Sequence, residues 1–437
     1  MAGFVWGENA RELEVKRVGI DFGTSNTAAS VYGVAQGSPV HHVIPLDGDA
    51  LIKTLLYFPN GRESFFGREA VEKYFDQERE GRLFQSIKRL LPNPDFNGTQ
   101  ISGRHVSLES LIARFLEEVR KRIAKSLGCS LVDLDEIEFV LGRPAKYSLD
   151  AEREELATTR FCRAIELAGF KKYQLLEEPT AASRVAMQSG AQKDGELTFV
   201  ADLGGGTSDF TVLRKRNVHS SGDEVLAVHG VPLAGDALDS SFVSDRLLTY
   251  FGSEVTYQRP FSSNILTFPK ALISRIPKWH QHVILKEKSN WNFILELRKE
   301  LVKSSDRLYL ENLITLVEEN LGYMMHRKVE EVKVSLSLSQ QPQAAFQFAS
   351  YPIKIELDVH REDYEGMIAP IVEQVASTSL ATLKMAQIEP EQVSILYFTG
   401  GTSQVPAMRR AIQGLFPHAK VRDQDSFTAV ALGLSLP

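Results

Sequence analysis

A run of three glycines between two apolar stretches constrains this chain more than any other feature in it. Phe199-Val200-Ala201-Asp202-Leu203-Gly204-Gly205-Gly206-Thr207-Ser208-Asp209-Phe210-Thr211-Val212-Leu213 reads as strand, tight turn, strand. Gly204, Gly205 and Gly206 permit positive φ and let backbone N–H groups come close to an anion, while Thr207 and Ser208 add short hydroxyl donors. Such a turn can hold phosphate. Asp202 and Asp209 cannot receive phosphate directly, so a divalent cation between carboxylate and phosphate resolves the conflict. Taken alone, the run also fits an ordinary glycine-rich hairpin.

A shorter copy stands near the start of the chain. Val18-Gly19-Ile20-Asp21-Phe22-Gly23-Thr24-Ser25-Asn26-Thr27 repeats the order apolar strand, Asp, apolar, Gly, Thr, Ser, then a second apolar strand. Two hairpins of one design, roughly a domain length apart, predict a duplicated architecture with a nucleotide between the halves.

Length and charge narrow the rest. At 437 residues the chain can bury a large core and is expected to form two or more domains. Its 50 basic and 56 acidic residues give a net charge of −6, without the basic excess that nucleic-acid binding requires. Only two cysteines, Cys129 and Cys162, are present, which excludes a disulfide scaffold and a four-cysteine metal site. Met1 to Arg17 has no apolar secretion signal and is taken as an N-terminal extension. No run reaches the roughly 20 apolar residues that span a bilayer, so no membrane role is expected and the cytoplasm is the default location.

In chain order, Val18 to Ile44 predicts three antiparallel strands turning at Gly37-Ser38-Pro39, and Leu51 to Phe66 short strands around Pro59-Asn60-Gly61. Arg68 to Asp76 reads as helix. Leu108 to Leu127 is an amphipathic helix with Leu111, Phe115, Leu116, Val119 and Ile123 on one face, ended by Gly128. Ile137 to Gly142 is a strand, about Leu149 to Gly169 a helix, and Tyr173 to Leu176 a strand leading into a helix opened by Glu178-Pro179. Glu178 there serves either as an N-terminal helix charge or as part of a metal shell.

Glu224 to Val231 is a strand, and Gly235-Asp236 leads into a helix. Residues 250–330 read mostly as helices broken by Pro260, Pro269 and Pro277, with Trp279 and Trp291 as core anchors. Leu308 to Leu321 and Val329 to Val334 keep helical spacing; Ala344 to Val359 gives strands, Glu362 to Lys384 a long helix, and Val393 to Phe398 a buried strand. That strand runs into Thr399-Gly400-Gly401-Thr402-Ser403-Gln404-Val405-Pro406 and a helix to Leu415. A Gly-Gly turn between strand and helix lets backbone meet a ligand, although close strand-to-helix packing also accounts for such pairs. The small-residue helix Phe427 to Gly433 echoes Pro179-Thr180-Ala181-Ala182; two such helices can pack tightly as a hinge, or simply pack.

Together these segments resemble the ATPase domain of the Hsp70 family, in the actin-like superfamily, over nearly the whole chain from Val18. The resemblance implies an α/β fold, the actin-like/Hsp70 ATPase fold, with two ribonuclease-H-like lobes and a nucleotide cleft between them. The expected boundaries are an extension at 1–17, lobe I at 18–190 with an inserted subdomain at about 46–130, and lobe II at 195–437 with one at about 236–360. The C-terminal helix at about 425–437 is expected to pack back on lobe I. Gly23, Thr24, Ser25 and Asn26 resemble the first phosphate loop, Asp202 to Asp209 the second, and Gly400, Gly401, Thr402 and Gln404 the adenosine loop. Lys88, within Phe84 to Leu91, takes the role of the γ-phosphate lysine, and Glu330, Lys333 and Ser337 the adenine and ribose contacts; Gly235 and Asp236 join the nucleotide set. Without the resemblance Lys88 reads as a solvated helix lysine and Glu330 and Lys333 as an exposed pair.

The implied catalytic set is Lys88, Glu178, Asp202, Thr207 and Asp209, with Asp21 and Asp202 holding Mg²⁺ mostly through its waters. ATP/ADP and Mg²⁺ are the implied cofactors, with K⁺ a further candidate, and protein clients or co-chaperones the implied partners. Two departures stand out. Val334 and Gln404 occupy positions where the family has arginines against the adenine, which removes stacking of about 0.5–2 kcal/mol each. The sequence also stops at Pro437 with no peptide-binding domain, so it resembles the ATPase-only, YegD-type branch, and foldase activity of the usual kind is not expected. A small-molecule kinase, a filament-forming actin relative and a catalytically weakened nucleotide-bound module are the competing expectations.

Overall fold

The computed structural model describes residues 13–46, 48–59, 63–77, 80–148, 150–188, 194–216, 224–278, 281–339, 342–423 and 428–437. The first twelve residues of the expected extension, the Asn60-Gly61 turn, Leu149, Trp279 and Phe427 lie outside the described residues. Two compact units are present. One is drawn from residues up to Gly235, from Glu373–Ser403 and from Met408–Pro437; the other comprises Asp236–Val372 and Gln404–Ala407.

The first unit holds two sheets of the same plan. In the first, β1 (Leu13–Phe22), β2 (Asn26–Ala35) and β3 (Ser38–Ile44) form an antiparallel meander, and β4 (Glu138–Arg143) and β5 (Tyr173–Glu177) extend it in parallel, giving the order β5-β4-β1-β2-β3. In the second, β6 (Leu197–Leu203), β7 (Ser208–Arg214) and β8 (Glu224–Val231) form the meander, and β9 (Ile395–Thr399) and β10 (Lys420–Asp423) the parallel extension, in the order β8-β7-β6-β9-β10. Asp21 and Asp202 are each the last residue but one of the strand at the centre of their sheet. Strand β1 begins at Leu13, so part of the expected extension pairs with β2.

Burial explains the strand sequences. Every residue of β6 is buried, as a central strand covered on both faces requires, and its sequence is a nearly continuous apolar run. Under the first sheet, α1 (Leu108–Leu127) starts where the Ser107 hydroxyl accepts from the Ser110 N–H at 3.1 Å and stops at Gly128 in the left-handed region. Its fully buried Phe115 and the fully buried Phe161 of α2 (Ala151–Leu167) both pack on Phe22 of β1, the latter ring stacked at 5.8 Å. Each such burial is worth about 1.5–3 kcal/mol, and together they fix the strand that carries Asp21.

Two helices of small residues meet on the same unit. On α3 (Glu178–Gln188), the Ala181 carbonyl lies where a Cβ on Gly433 would come within 1.8 Å, so glycine lets it touch α5 (Ala429–Ser435) backbone to backbone. Ser30 of β2 donates to the Ala431 carbonyl at 2.5 Å, and His41 Nε2 of β3 lies 2.9 Å from the Leu432 carbonyl.

In the second unit, α4 (Gly322–Leu338) follows the helix Asp306–Glu318, and a hairpin pairs Gln343–Ser350 with Ile353–His360. A small hairpin, Thr256–Gln258 with Ile265–Thr267, replaces part of the mostly helical 250–330 region that the sequence predicts. Its strands of three residues are too short to show alternation. Trp291 is only partly buried. Among the described residues no helix is long and apolar enough to cross a membrane.

Candidate active site

Both glycine turns sit at the ends of central strands, and they touch. The Gly206 Cα faces Thr24 so closely that an added Cβ would lie 2.7 Å from its Oγ1. In the first turn a Cβ on Gly23 would meet the Asn26 carbonyl at 2.3 Å, and the Thr54 hydroxyl donates to the Gly23 carbonyl at 2.9 Å. The Thr54 N–H donates to the Ser25 carbonyl, so a residue with no sequence signal braces this loop from below. In the second turn the Gly204 N–H donates to the Thr207 carbonyl at 3.0 Å. The Gly204 carbonyl in turn accepts from the Thr402 hydroxyl at 2.6 Å and from the Gly235 N–H at 3.4 Å. Gly400, in the left-handed region, leaves room for the Leu203 carbonyl and for Asp202 Oδ1, which a Cβ would approach to 2.2 and 2.9 Å.

Lys88 is buried. It lies on a short turn, Ile87–Leu90, and its ammonium is ion-paired with Glu178 Oε1, both side chains about nine-tenths buried. Glu178 is the first residue of α3, directly after β5, so strand and helix geometry together aim it. Its carboxylate is therefore the partner of Lys88 as well as an N-terminal helix charge. Asp209 Oδ1 accepts the Ala145 N–H at 3.1 Å, and the Thr207 hydroxyl also bonds to the Asp209 carboxylate.

The carboxylates crowd one another. Burial pushes the Asp21 carboxyl up to about 7, with Glu178 adding repulsion and Lys88 opposing it. Burial likewise raises Asp209 to about 7, with Glu178 again the next cause, and it raises Asp202 well above the usual range, helped by Glu178, Asp209 and Asp21. Lys88 enters the electrostatics of all three aspartates. A single ammonium cannot neutralise four carboxyl groups, so the site favours a further positive charge. Among the described residues no group of three or more His, Cys, Asp or Glu is arranged to ligate an ion directly. Carboxylate oxygens of this kind are hard donors that suit Mg²⁺, an ion that keeps most of its waters.

A family model described as Hsp70 protein matches residues 64–254 and 315–436, well over half of the chain. The chain belongs to the Hsp70 family. Its fold is accordingly the α/β, actin-like ATPase fold of that family. Among curated proteins it is similar to the chaperone protein DnaK of Thermus thermophilus, 24% identical over 449 residues that cover 96% of this chain and 60% of that one. The chaperone protein DnaK of Halobacterium salinarum is 24% identical over 423 residues, covering 96% of this chain and 55% of its own length. This Hsp70 chain therefore spans about 60% or less of the length of these relatives.

The remaining nucleotide residues expected of an Hsp70 chain lie in the second unit. Lys333 Nζ is bonded to Asp239 Oδ2 at 2.7 Å, both side chains mostly buried, and the Ser337 hydroxyl donates to the Lys333 carbonyl at 2.7 Å. Burial raises the Asp239 carboxyl to about 6 against the pull of Lys333. Sequence reasoning missed Asp239, because nothing in a helix carboxylate points to a lysine 94 residues away. Glu330 lies beside Arg327 at 3.6 Å, and Val334 and Gln404 are exposed. Asp236 is the first residue of this unit.

Proposed function

We propose that this Hsp70-family chain is an ATPase that binds ATP and ADP with Mg²⁺ and hydrolyses ATP slowly to ADP and phosphate. One observation carries the reading: two glycine turns in contact, beside a buried Lys88–Glu178 pair and three aspartates of raised pKa. In phosphoryl transfer to water the protein supplies positioning and charge more than covalent chemistry. The N–H groups of Gly205 to Thr207 and the hydroxyls of Thr24 and Ser25 would bind phosphate oxygens, the Gly204 N–H being held by the Thr207 carbonyl. Lys88 would place its ammonium on the γ-phosphate, exchanging part of its bond to Glu178. Water attacks the γ-phosphorus as the bond to the β–γ bridging oxygen breaks. Asp209, near 7, is suited to take the proton of that water and release it to solvent. When bound at Asp21 and Asp202, Mg²⁺ would neutralise phosphate charge.

Glu330, Lys333, Ser337, Gly400, Gly401, Thr402 and Gln404 are assigned to the nucleoside, and the lobes to 18–190 and 195–437, on the family resemblance. The similarity to chaperone proteins supports a nucleotide-controlled switch acting with protein clients or co-chaperones, for which the cytoplasm is the proposed location. Calorimetric titration with ATP, ADP and GTP, with and without Mg²⁺, tests the binding, and single-turnover hydrolysis tests the chemistry. Mg²⁺-dependent adenine nucleotide binding with slow phosphate release is expected. Absence of binding by any nucleotide overturns the proposal, and phosphate release that requires an added sugar would replace it with a kinase.

A further inference from the structure

Two glycines outside the phosphate turns stand directly behind carboxylates of the proposed site. Gly230 on β8 is the cross-strand partner of Asp209 on β7, so their side-chain positions share one face of the sheet. A Cβ built on Gly230 would lie 2.4 Å from Asp209 Oδ1 and 3.2 Å from its Cγ. Gly142 on β4 would place a Cβ 3.0 Å from Glu178 Cγ. Neither glycine has a left-handed backbone, so conformational freedom does not account for either. Glycine inside a strand costs stability, and its presence there marks a close approach. At Gly230 the closest neighbour is the Asp209 carboxylate, with the Ser208 carbonyl at 3.2 Å; at Gly142 it is the Cγ of Glu178, with Leu434 Cδ1 at 3.2 Å and Glu178 Oε1 at 3.6 Å.

We propose that Gly230 and Gly142 are positioning residues: the absent side chain at each seats the carboxylate, Asp209 against the Ala145 N–H and Glu178 against Lys88. The inference rests on the hydrolase reading above for its kinetic part and on geometry alone for its structural part. With a methyl at Gly230, Asp209 Oδ1 must retreat by about 1 Å to reach ordinary contact, and so leaves the Ala145 amide. With a methyl at Gly142, Glu178 must give by only a few tenths of an ångström, so the effect is smaller.

The experiment is a double-mutant cycle on the full chain: Gly230→Ala, Asp209→Ala and both together, followed by melting of the nucleotide-free protein and by single-turnover hydrolysis. Gly230→Ala is expected to lower the melting temperature, while in the Asp209→Ala background the same change costs clearly less, because the obstructing carboxylate is gone and only the Ser208 carbonyl at 3.2 Å remains tight. Hydrolysis by Gly230→Ala is expected to slow about 100-fold, the scale of a misplacement of this size, with ATP affinity nearly unchanged. Gly142→Ala should slow it less. Additive melting effects of Gly230→Ala and Asp209→Ala, or wild-type hydrolysis by Gly230→Ala, overturns the inference. Should Gly230→Ala fail to fold, the same cycle on Gly142→Ala and Glu178→Ala decides it. If the wild-type chain hydrolyses no ATP, the hydrolase reading falls while the melting cycle still decides the seating.

Discussion

At the scale of single residues, the site is defined by charge held out of water. Asp21 and Asp209 both bind their protons more tightly in the folded chain than in the unfolded one, with values near 7 against an ordinary 3.8. Their contribution to stability is therefore fully present below about pH 4 and is lost as pH rises through about 7. A ligand that favours the ionised carboxyls reverses this trend. Melting the chain with and without Mg²⁺ and ATP should give a larger stabilisation at about pH 8 than at about pH 5.5. An equal shift at both pH values would show that these carboxyls do not face the ligand. The second unit offers a parallel case: Asp239→Ala leaves Lys333 buried without its counter-charge, and denaturation should register a loss of about 3–5 kcal/mol.

Some of these residues were legible in the sequence and some were not, for a physical reason. Asp21 and Asp202 announce themselves because each is followed closely by glycine and hydroxyl residues in a local turn. The Lys88–Glu178 pair spans 90 residues, and the Asp209–Ala145 bond 64. Neither contact exists until tertiary structure forms, so no spacing encodes it. Gly230 is less visible still, since its role is a side chain it does not have.

At the scale of elements, helix α5 binds by the closeness of its backbone to α3 and β1. A Cβ on Gly433 would fall 1.8 Å from the Ala181 carbonyl, and one on Gly19 would fall 2.5 Å from the Ala431 carbonyl. Gly433→Ala should therefore cost at least the roughly 1–3 kcal/mol typical of overpacking, measured by urea unfolding; a neutral result would mean that the two helices part freely. In the core, Phe115→Ala should cost about 3–5 kcal/mol, since its ring, on α1, is fully buried against Phe22. Long elements such as α1, with its apolar residues on one face and a terminating Gly128, follow from periodicity. The four-residue strand Lys420–Asp423 does not; it is half-exposed at a sheet edge and too short to carry a pattern.

At the scale of the whole molecule, the shared strand order of the two sheets matches the repeated Asp-apolar-Gly motif from which a duplicated architecture was expected. Nucleotide binding to the folded chain should raise its stability by about 2.7 kcal/mol at one hundred times the dissociation constant, a shift that thermal melting in excess Mg²⁺ and ATP would detect. Limited proteolysis with ATP and with ADP should give different cleavage patterns if the chain is a switch. Identical patterns would reduce it to a hydrolase without conformational output.

The placement of α5 also dictates a timetable for synthesis. Its seven residues, Ala429–Ser435, cover β1 and β2, which are the first strands described. At the usual pace of translation, roughly 20–80 s separate the emergence of those strands from the emergence of their cover. Throughout that interval the earliest sheet leaves the ribosome with an apolar flank bare to water. An Hsp70-family chain of this plan is thus, during its own birth, a nascent chain in want of shelter.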